Sequence, residues 1–206
     1  MKAILLAAAL LLPVLVAAED ADRIVYSKAF PGSLPAYTEI VVEKGGAGLY
    51  KEDPRDDDPL KFQLSESEAG QIQGLAEKLG NFSRPIESGL KVAFMGTKTF
   101  RYEGPDGARE VKFNYSEDAD AKALNDLFEQ IAESERAFAN LERAVKFDKL
   151  GAQEAVLRVE ALRDQKRLIP ETQFLPLLDR VVKNESFLHM ARDRAATLAE
   201  AIRKPK

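Results

Sequence analysis

The spacing of apolar positions along the chain changes near residue 116. Before that point apolar and polar residues alternate and turn-forming residues are frequent, which is typical of half-buried strands. After it, apolar residues recur every three or four positions and Gly151 is the one remaining glycine, which is typical of amphipathic helices. The change of period predicts a β-rich module over residues 19–116 and a helical region over residues 117–206.

The first module contains several segments with the period of a strand. Strands are predicted at residues 23–28, 37–44, 60–64, 92–102 and 109–115, and the chain is expected to return from the second of these through Gly48-Leu49-Tyr50. In the strand over residues 37–44, Thr38, Ile40 and Val42 share one face, which is expected to be buried. Glu39 and Glu43 share the opposite face, which is expected to face solvent. Tight turns at Gly45-Gly46 and at Gly104-Pro105-Asp106-Gly107 join neighbouring strands as antiparallel hairpins.

One helix is predicted between the strands. Ser65 and Glu68 have the spacing of a capping box, in which each side chain accepts a hydrogen bond from the backbone amide of the other residue. An apolar stripe that includes Ile72 and Leu75 follows, and Gly80 is placed to end the helix. This helix is expected to pack on the buried face of the sheet.

The helical region begins with a long helix, capped by Ser116 and running to about Phe147. Shorter apolar stripes follow. Pro176 lies either in the first turn of one of these helices or at a kink, and Asn184 is expected to cap the last helix. Antiparallel packing into a bundle is the simplest way to bury such stripes, and a solenoid of helix pairs is the alternative.

These elements together predict an α+β fold. It consists of a small, mostly antiparallel sheet with a helix packed on one face, followed by a helical C-terminal region of three or four helices. The first half of the long helix is expected to dock on the sheet, so that this helix belongs to both parts.

The N-terminus has the three-part layout of a secretory signal peptide. Lys2 gives a positive start, an apolar run of 14 residues follows, and small residues end at Ala18 before the acidic Glu19. The run is shorter than the roughly 20 residues that span a bilayer as a helix. We therefore expect residues 1–18 to be cleaved after Ala18, export to the periplasm or the extracellular space, and no stable membrane insertion of the mature chain.

Composition excludes several kinds of chemistry. The chain has no cysteine, so disulfides, thiolate nucleophiles and cysteine-ligated zinc are excluded. Loss of Lys2 changes the net charge from −4 to −5, which argues against a nucleic-acid partner. His189 is the single histidine and is interpreted as a solvent-facing side chain near Asp193. Residues 96–99 lack the upstream glycine of a phosphate loop, since Lys91 stands there. We predict no catalytic residue and no cofactor.

The acidic loop over residues 52–59 is the one candidate metal site. Asp53, Asp56, Asp57 and Asp58 offer the oxygen ligands that Ca²⁺ prefers, although the loop lacks the spacing of an EF-hand. The alternative is a solvated hairpin tip, which such a charge run with two prolines commonly forms.

Residues 30–50 resemble the opening of a family of short exported bacterial domains of unknown function. Gly32, Pro35 and Tyr37 match the family's Gly-x-x-Pro-x-Tyr motif, and the resemblance extends over about residues 23–130. It implies a strand hairpin, a capped helix and a second hairpin, but no activity. Cysteines that often flank the motif are absent, with Phe30 and Leu34 in their approximate places, which argues against a redox role.

The leading functional hypothesis is a non-catalytic module of the cell envelope or secreted fraction that binds another protein or an envelope component. One alternative is a carboxylate-based hydrolase acting on envelope glycans, which needs a cleft with two acidic residues of raised pKa. The other is a protease-inhibitor-like module that exposes the proline-stiffened loop over residues 30–37.

Overall fold

The computed structural model describes residues 22–204, so the predicted signal peptide and its cleavage after Ala18 lie outside the described residues. The predicted α+β fold is confirmed: a six-stranded antiparallel sheet precedes a helical region. The strands are β1 Arg23–Ala29, β2 Tyr37–Glu43, β3 Ala47–Lys51, β4 Leu60–Gln63, β5 Thr97–Gly104 and β6 Gly107–Phe113. The helices are α1 Glu66–Lys78, α2 Ala119–Phe147, α3 Ala152–Asp164, α4 Leu175–Lys183 and α5 His189–Arg203.

The strand order across the sheet is β4-β3-β2-β1-β5-β6, which places β1 at the centre. In this register Tyr26 of β1 lies between Ile40 of β2 and Phe100 of β5, and all three side chains are buried. Because side chains alternate along a strand, the same register directs Arg101 and Glu110 to the opposite face. The helices α1 and α2 cover the apolar face, as the sequence pattern predicts.

Helix α1 begins with the predicted capping box. The amide of Glu68 donates to the Ser65 hydroxyl at 3.3 Å, and the amide of Ser65 donates to the Glu68 carboxylate at 2.8 Å. The helix ends before Gly80, which has a φ of +64°. A residue with a Cβ is strained at that φ, so glycine suits the position directly after the helix.

Helix α2 belongs to both parts of the molecule. Leu124, Phe128 and Ile131 are fully buried in the cluster under the sheet, whereas Leu141 is buried in the cluster of the helical region. The helix is capped by Asp118 rather than by Ser116 as predicted. The Asp118 carboxylate accepts from two backbone amides of the first turn, and the Ser116 hydroxyl accepts from the Asp118 amide instead.

The helices pack as a bundle and not as a solenoid. Helix α3 contacts α2 and α5, and α4 contacts α5 and α2, so the contacts close around one buried cluster. Pro176 lies in the first turn of α4, where its missing amide costs little. The predicted cap at Asn184 is wrong: α5 starts at His189, and the Asn184 side chain instead accepts from the amide of Ser186 in the preceding turn.

The predicted strand over residues 92–102 starts too early. Strand β5 begins at Thr97. Its neighbour β6 ends at Phe113, which pairs with Lys98, so the residues before Thr97 have no residue of β6 to pair with. Gly96 has a φ of +95°, which breaks the extended backbone at that point. Tyr115, expected on the buried face with Phe113, lies beyond β6 and is exposed.

Candidate binding surface

The loop between β1 and β2 presents a leucine to solvent. The amide of Phe30 donates to Ala36 O at 2.9 Å, and the Ser33 hydroxyl lies 2.7 Å from Phe30 O and 2.6 Å from Pro35 O. These contacts close residues 30–36 into a compact loop. Leu34 projects from it with 96% of its surface exposed. An apolar side chain held this far out of the protein gains nothing from folding, and it marks an interaction site where it belongs to a larger exposed apolar patch.

A second apolar segment runs over residues 84–96. It has no strand or helix, and the side chain of Asn114 anchors it: Met95 N donates to Asn114 Oδ1 at 2.8 Å, and Asn114 Nδ2 donates to Ala93 O at 3.1 Å. The amide of Asn114 donates to Glu87, which holds the pKa of the Glu87 carboxyl below its usual value. The segment is therefore tied to the end of β6. Ile86 is buried in the core, while Leu90, Val92, Phe94 and Met95 face solvent.

Phe30 and Phe94 join the loop to this segment. Their rings meet edge to face, with centroids 5.9 Å apart and planes at 86°. Gly96 allows this approach, because a Cβ at that position would lie 2.8 Å from the Phe30 Cβ. The exposed or partly exposed apolar residues at this end of the sheet form what we call the sheet-end surface. Its members are Phe30, Leu34, Leu90, Val92, Phe94, Met95 and Tyr115.

Two lysines beside the sheet-end surface have partners, whereas Lys91, exposed between Leu90 and Val92, makes no ion pair within residues 22–204. Lys28 Nζ lies 2.9 Å from a carboxylate oxygen of Glu129, and the Tyr26 hydroxyl donates to the same oxygen at 2.8 Å. Lys98 Nζ donates to Asn114 O at 2.8 Å. The pKa of Lys98 is lowered, mainly because the side chain is partly buried and secondly because the positive charge of Lys28 is near. An apolar patch with few unpaired charges at its border has the composition of a protein interface.

The pocket beside this loop is small. It has a volume of about 160 Å³ and lies between the loop and α2, lined among others by Ser33, Thr38, Glu129 and Glu133. Drug-sized ligands occupy pockets of about 300 to 1,000 Å³. The two glutamates are each ion-paired, Glu129 with Lys28 and Glu133 with Arg167. The carboxylates that line this pocket are therefore not a free pair that could act as general acid and general base.

The four aspartates proposed for calcium lie on the exposed tip between β3 and β4. Asp53 accepts from the amide of Arg55 at 2.9 Å, and Asp56 accepts from the amide of Asp58 at 3.0 Å, so these carboxylates stabilise their own turns. Across residues 22–204, no three acidic or histidine side chains are grouped so that they could hold a metal ion. No site is proposed on this loop.

His189 and the glycine-threonine segment are placed as the sequence indicates. The His189 side chain is largely exposed, and its Nδ1 lies 2.7 Å from the Asp193 carboxylate one turn along α5. Thr97 and Lys98 lie in strand β5, which is not the start of a helix that a phosphate loop requires. Neither position contributes to the sheet-end surface.

Glu135 is a buried carboxyl that the sequence analysis missed. Its side chain is inaccessible to solvent, its Oε1 accepts from Gln173 Nε2 at 2.6 Å, and its Oε2 has no hydrogen-bond partner. Burial raises the pKa of Glu135 to about 7. A sequence signal exists, because Glu135 follows Phe128 and Ile131 in steps of three and four along the apolar stripe of α2.

Comparisons with known proteins do not assign the chain to a family. No family model matches it, and no curated protein is found that matches it either. Within residues 22–204, none of the helices is both long enough and apolar enough to span a membrane.

Proposed function

We propose that the chain is an exported, non-catalytic module that binds another protein through the sheet-end surface. The presentation of Leu34 is the observation that carries the proposal: a loop closed by its own hydrogen bonds holds this side chain 96% exposed. A preorganised loop loses little conformational entropy on binding, so most of the apolar contact energy contributes to affinity. Phe94 and Met95 extend the apolar contact beside it.

Export is part of this proposal and rests on the composition of residues 1–18. The class of partner follows from the border of the surface: Lys28 and Lys98 have partners there, and the exposed Lys91 is a single charge among apolar side chains. Such a border favours a protein with a complementary apolar pocket over a highly charged polymer such as a nucleic acid.

Site-specific photo-crosslinking tests the proposal. With a photoreactive amino acid at position 34 or 94 of the full chain in its native host, we expect one protein adduct of the same mass from both positions. Position 190 is the control, since Met190 is 63% exposed on α5, outside the surface. Two results would contradict the proposal. One is an adduct at position 190 with the same mass and yield as those at positions 34 and 94, and the other is the absence of any adduct at positions 34 and 94. A Leu34→Asp substitution should weaken binding of the isolated adduct partner about tenfold or more.

A protease-inhibitor-like role is the second candidate, favoured by the same closed loop, because the loop presents one fully exposed apolar side chain, Leu34, to an incoming protein. We expect that, if this role is correct, the mature chain slows peptide hydrolysis by endopeptidases that cleave beside leucine. Leu34→Asp should abolish the inhibition and Met190→Asp should preserve it. Hydrolysis rates unchanged by the wild-type chain would remove this candidate.

The glycan-hydrolase alternative receives less support from the site. Burial raises the pKa of the Glu135 carboxyl, and this carboxyl accepts a hydrogen bond from the amide of Gln173 rather than facing a second acid. The mechanism requires two acids that face one sugar ring.

A further inference from the structure

The turn between α2 and α3 carries a second apolar projection, far along the chain from the sheet-end surface. Residues 146–150 are all exposed, with Phe147 at 82% and Leu150 at 74%. The turn is ordered by Asp148, whose carboxylate accepts from the amide of Gly151 at 3.0 Å and whose carbonyl accepts from the amide of Ala152. We call Lys146, Phe147, Lys149 and Leu150 the hairpin tip.

Basic side chains without a carboxylate partner surround the hairpin tip. Across residues 22–204, Lys149, Arg143 and Arg158 make no ion pair, whereas Lys146 pairs with Glu142 on the same helix. Arg143 donates only to the neutral side chain of Asn140, at 3.3 Å. The guanidinium groups of Arg143 and Arg158 line one open groove beside the tip, with Asp148 and Glu154. Asp148 uses one carboxylate oxygen within its own turn.

The size of the hairpin tip distinguishes it from a protein interface. Two apolar side chains on an exposed turn cover far less than the roughly 800 Å² that each partner of a stable protein complex buries. A lipid bilayer needs no complementary pocket, because it deforms around an inserted side chain. Amphipathic segments that bind at a membrane surface combine large apolar side chains with lysine or arginine beside them.

We propose that the hairpin tip docks reversibly on an anionic phospholipid surface. Phe147 and Leu150 enter the boundary between headgroups and acyl chains. Lys149, Arg143 and Arg158 face the lipid phosphates, whose negative charge complements their unpaired positive charge. This inference is independent of the proposed function, because it uses other residues on another part of the fold. Nothing in it requires a helix that spans the bilayer.

Vesicle flotation of the mature full-length chain tests the inference. We expect binding to vesicles of equimolar phosphatidylglycerol and phosphatidylcholine, weak binding to phosphatidylcholine alone, and loss of binding as salt is raised. Phe147→Ser and Leu150→Ser should each lower the partition coefficient about tenfold, since each removes one inserted apolar side chain. Lys149→Glu should lower it to a similar extent on the anionic vesicles only.

Two matched variants separate this surface from the other one. Met190→Ser removes an apolar side chain that is 63% exposed on α5 and should leave binding unchanged. Leu34→Asp, which tests the sheet-end surface, should also leave it unchanged. All tip variants should retain the circular dichroism and thermal unfolding of the wild type, because the altered side chains are exposed.

Four outcomes would overturn the inference. The first is no flotation of the wild-type chain, and the second is equal flotation on neutral and anionic vesicles. The third is flotation that survives the tip variants but is lost in Leu34→Asp, which would assign membrane contact to the sheet-end surface. Sedimentation of the wild type as a dimer that Phe147→Ser dissociates would assign the tip to self-association instead.

Discussion

Raising the pH from about 5 to about 8 is expected to lower the free energy of unfolding by about 2 to 3 kcal/mol, because Glu135 must ionise in a buried site. Burial raises the pKa of this carboxyl from 4.5 to about 7 in the folded chain. Between these two values the folded state holds a proton that the unfolded state has released, so stability falls as the pH rises. The loss begins above about pH 4.5 and levels off above about pH 7.

Denaturant unfolding followed by circular dichroism at several pH values measures this effect. In Glu135→Gln the amide is neutral at every pH, and the bond from Gln173 to the retained carbonyl oxygen remains possible, so the decline should largely disappear. Glu142→Gln is the control, since Glu142 lies on the same helix in a partly exposed ion pair with Lys146. That pair is worth less than about 1 kcal/mol. A Glu135→Gln variant with the same pH dependence as wild type would show that another group is responsible.

Phe128→Ala is expected to destabilise the protein by about 3 to 5 kcal/mol, the cost of deleting a large buried aromatic side chain. Phe128 is fully buried at the centre of the core under the sheet. Its ring stacks on Tyr26 at 5.0 Å with planes 6° apart, and it lies 6.1 Å from Phe100. The substitution removes contacts between α2 and the neighbouring strands β1 and β5, and the surrounding side chains cannot refill the volume fully.

Phe147→Ala provides the matched control, because the same substitution is made on the same helix at a side chain that is 82% exposed. Its effect should stay within about 0.5 kcal/mol. Thermal unfolding monitored by calorimetry reports both values. A loss below about 1 kcal/mol for Phe128→Ala would mean that α2 does not dock on the sheet as described. Separate transitions for the sheet and the bundle would show that the shared helix does not couple them.

Most elements of the fold could be predicted because their signals lie within a few neighbouring residues. Alternation at Thr38, Ile40 and Val42 determined which face of β2 is buried, and Ser65 with Glu68 determined where α1 begins. The cap of α2 was assigned to Ser116 instead of Asp118, since both side chains can accept hydrogen bonds and they are only two positions apart. Local competition of this kind limits the accuracy of helix boundaries.

The candidate surfaces could be predicted only in part. Residues 30–37 were recognised as a proline-stiffened loop, but residues 92–96 were assigned to a strand because their apolar spacing has the same period. A strand also needs a neighbouring strand to pair with. Strand β6 ends at Phe113, opposite Lys98, so it does not extend alongside residues 92–96. The exposure of Phe94 and Met95 follows from that missing neighbour rather than from their own sequence.

The amino-acid sequence by itself determined the class of the fold, the faces of its strands and helices, and the exclusion of cysteine chemistry, because these depend on residue type and local period. Only the tertiary structure decided that Phe30 meets Phe94 and that Glu135 is enclosed beside Gln173. Those pairs are 64 and 38 positions apart in the chain. Contacts over such separations follow from how whole elements pack, and no local pattern specifies them.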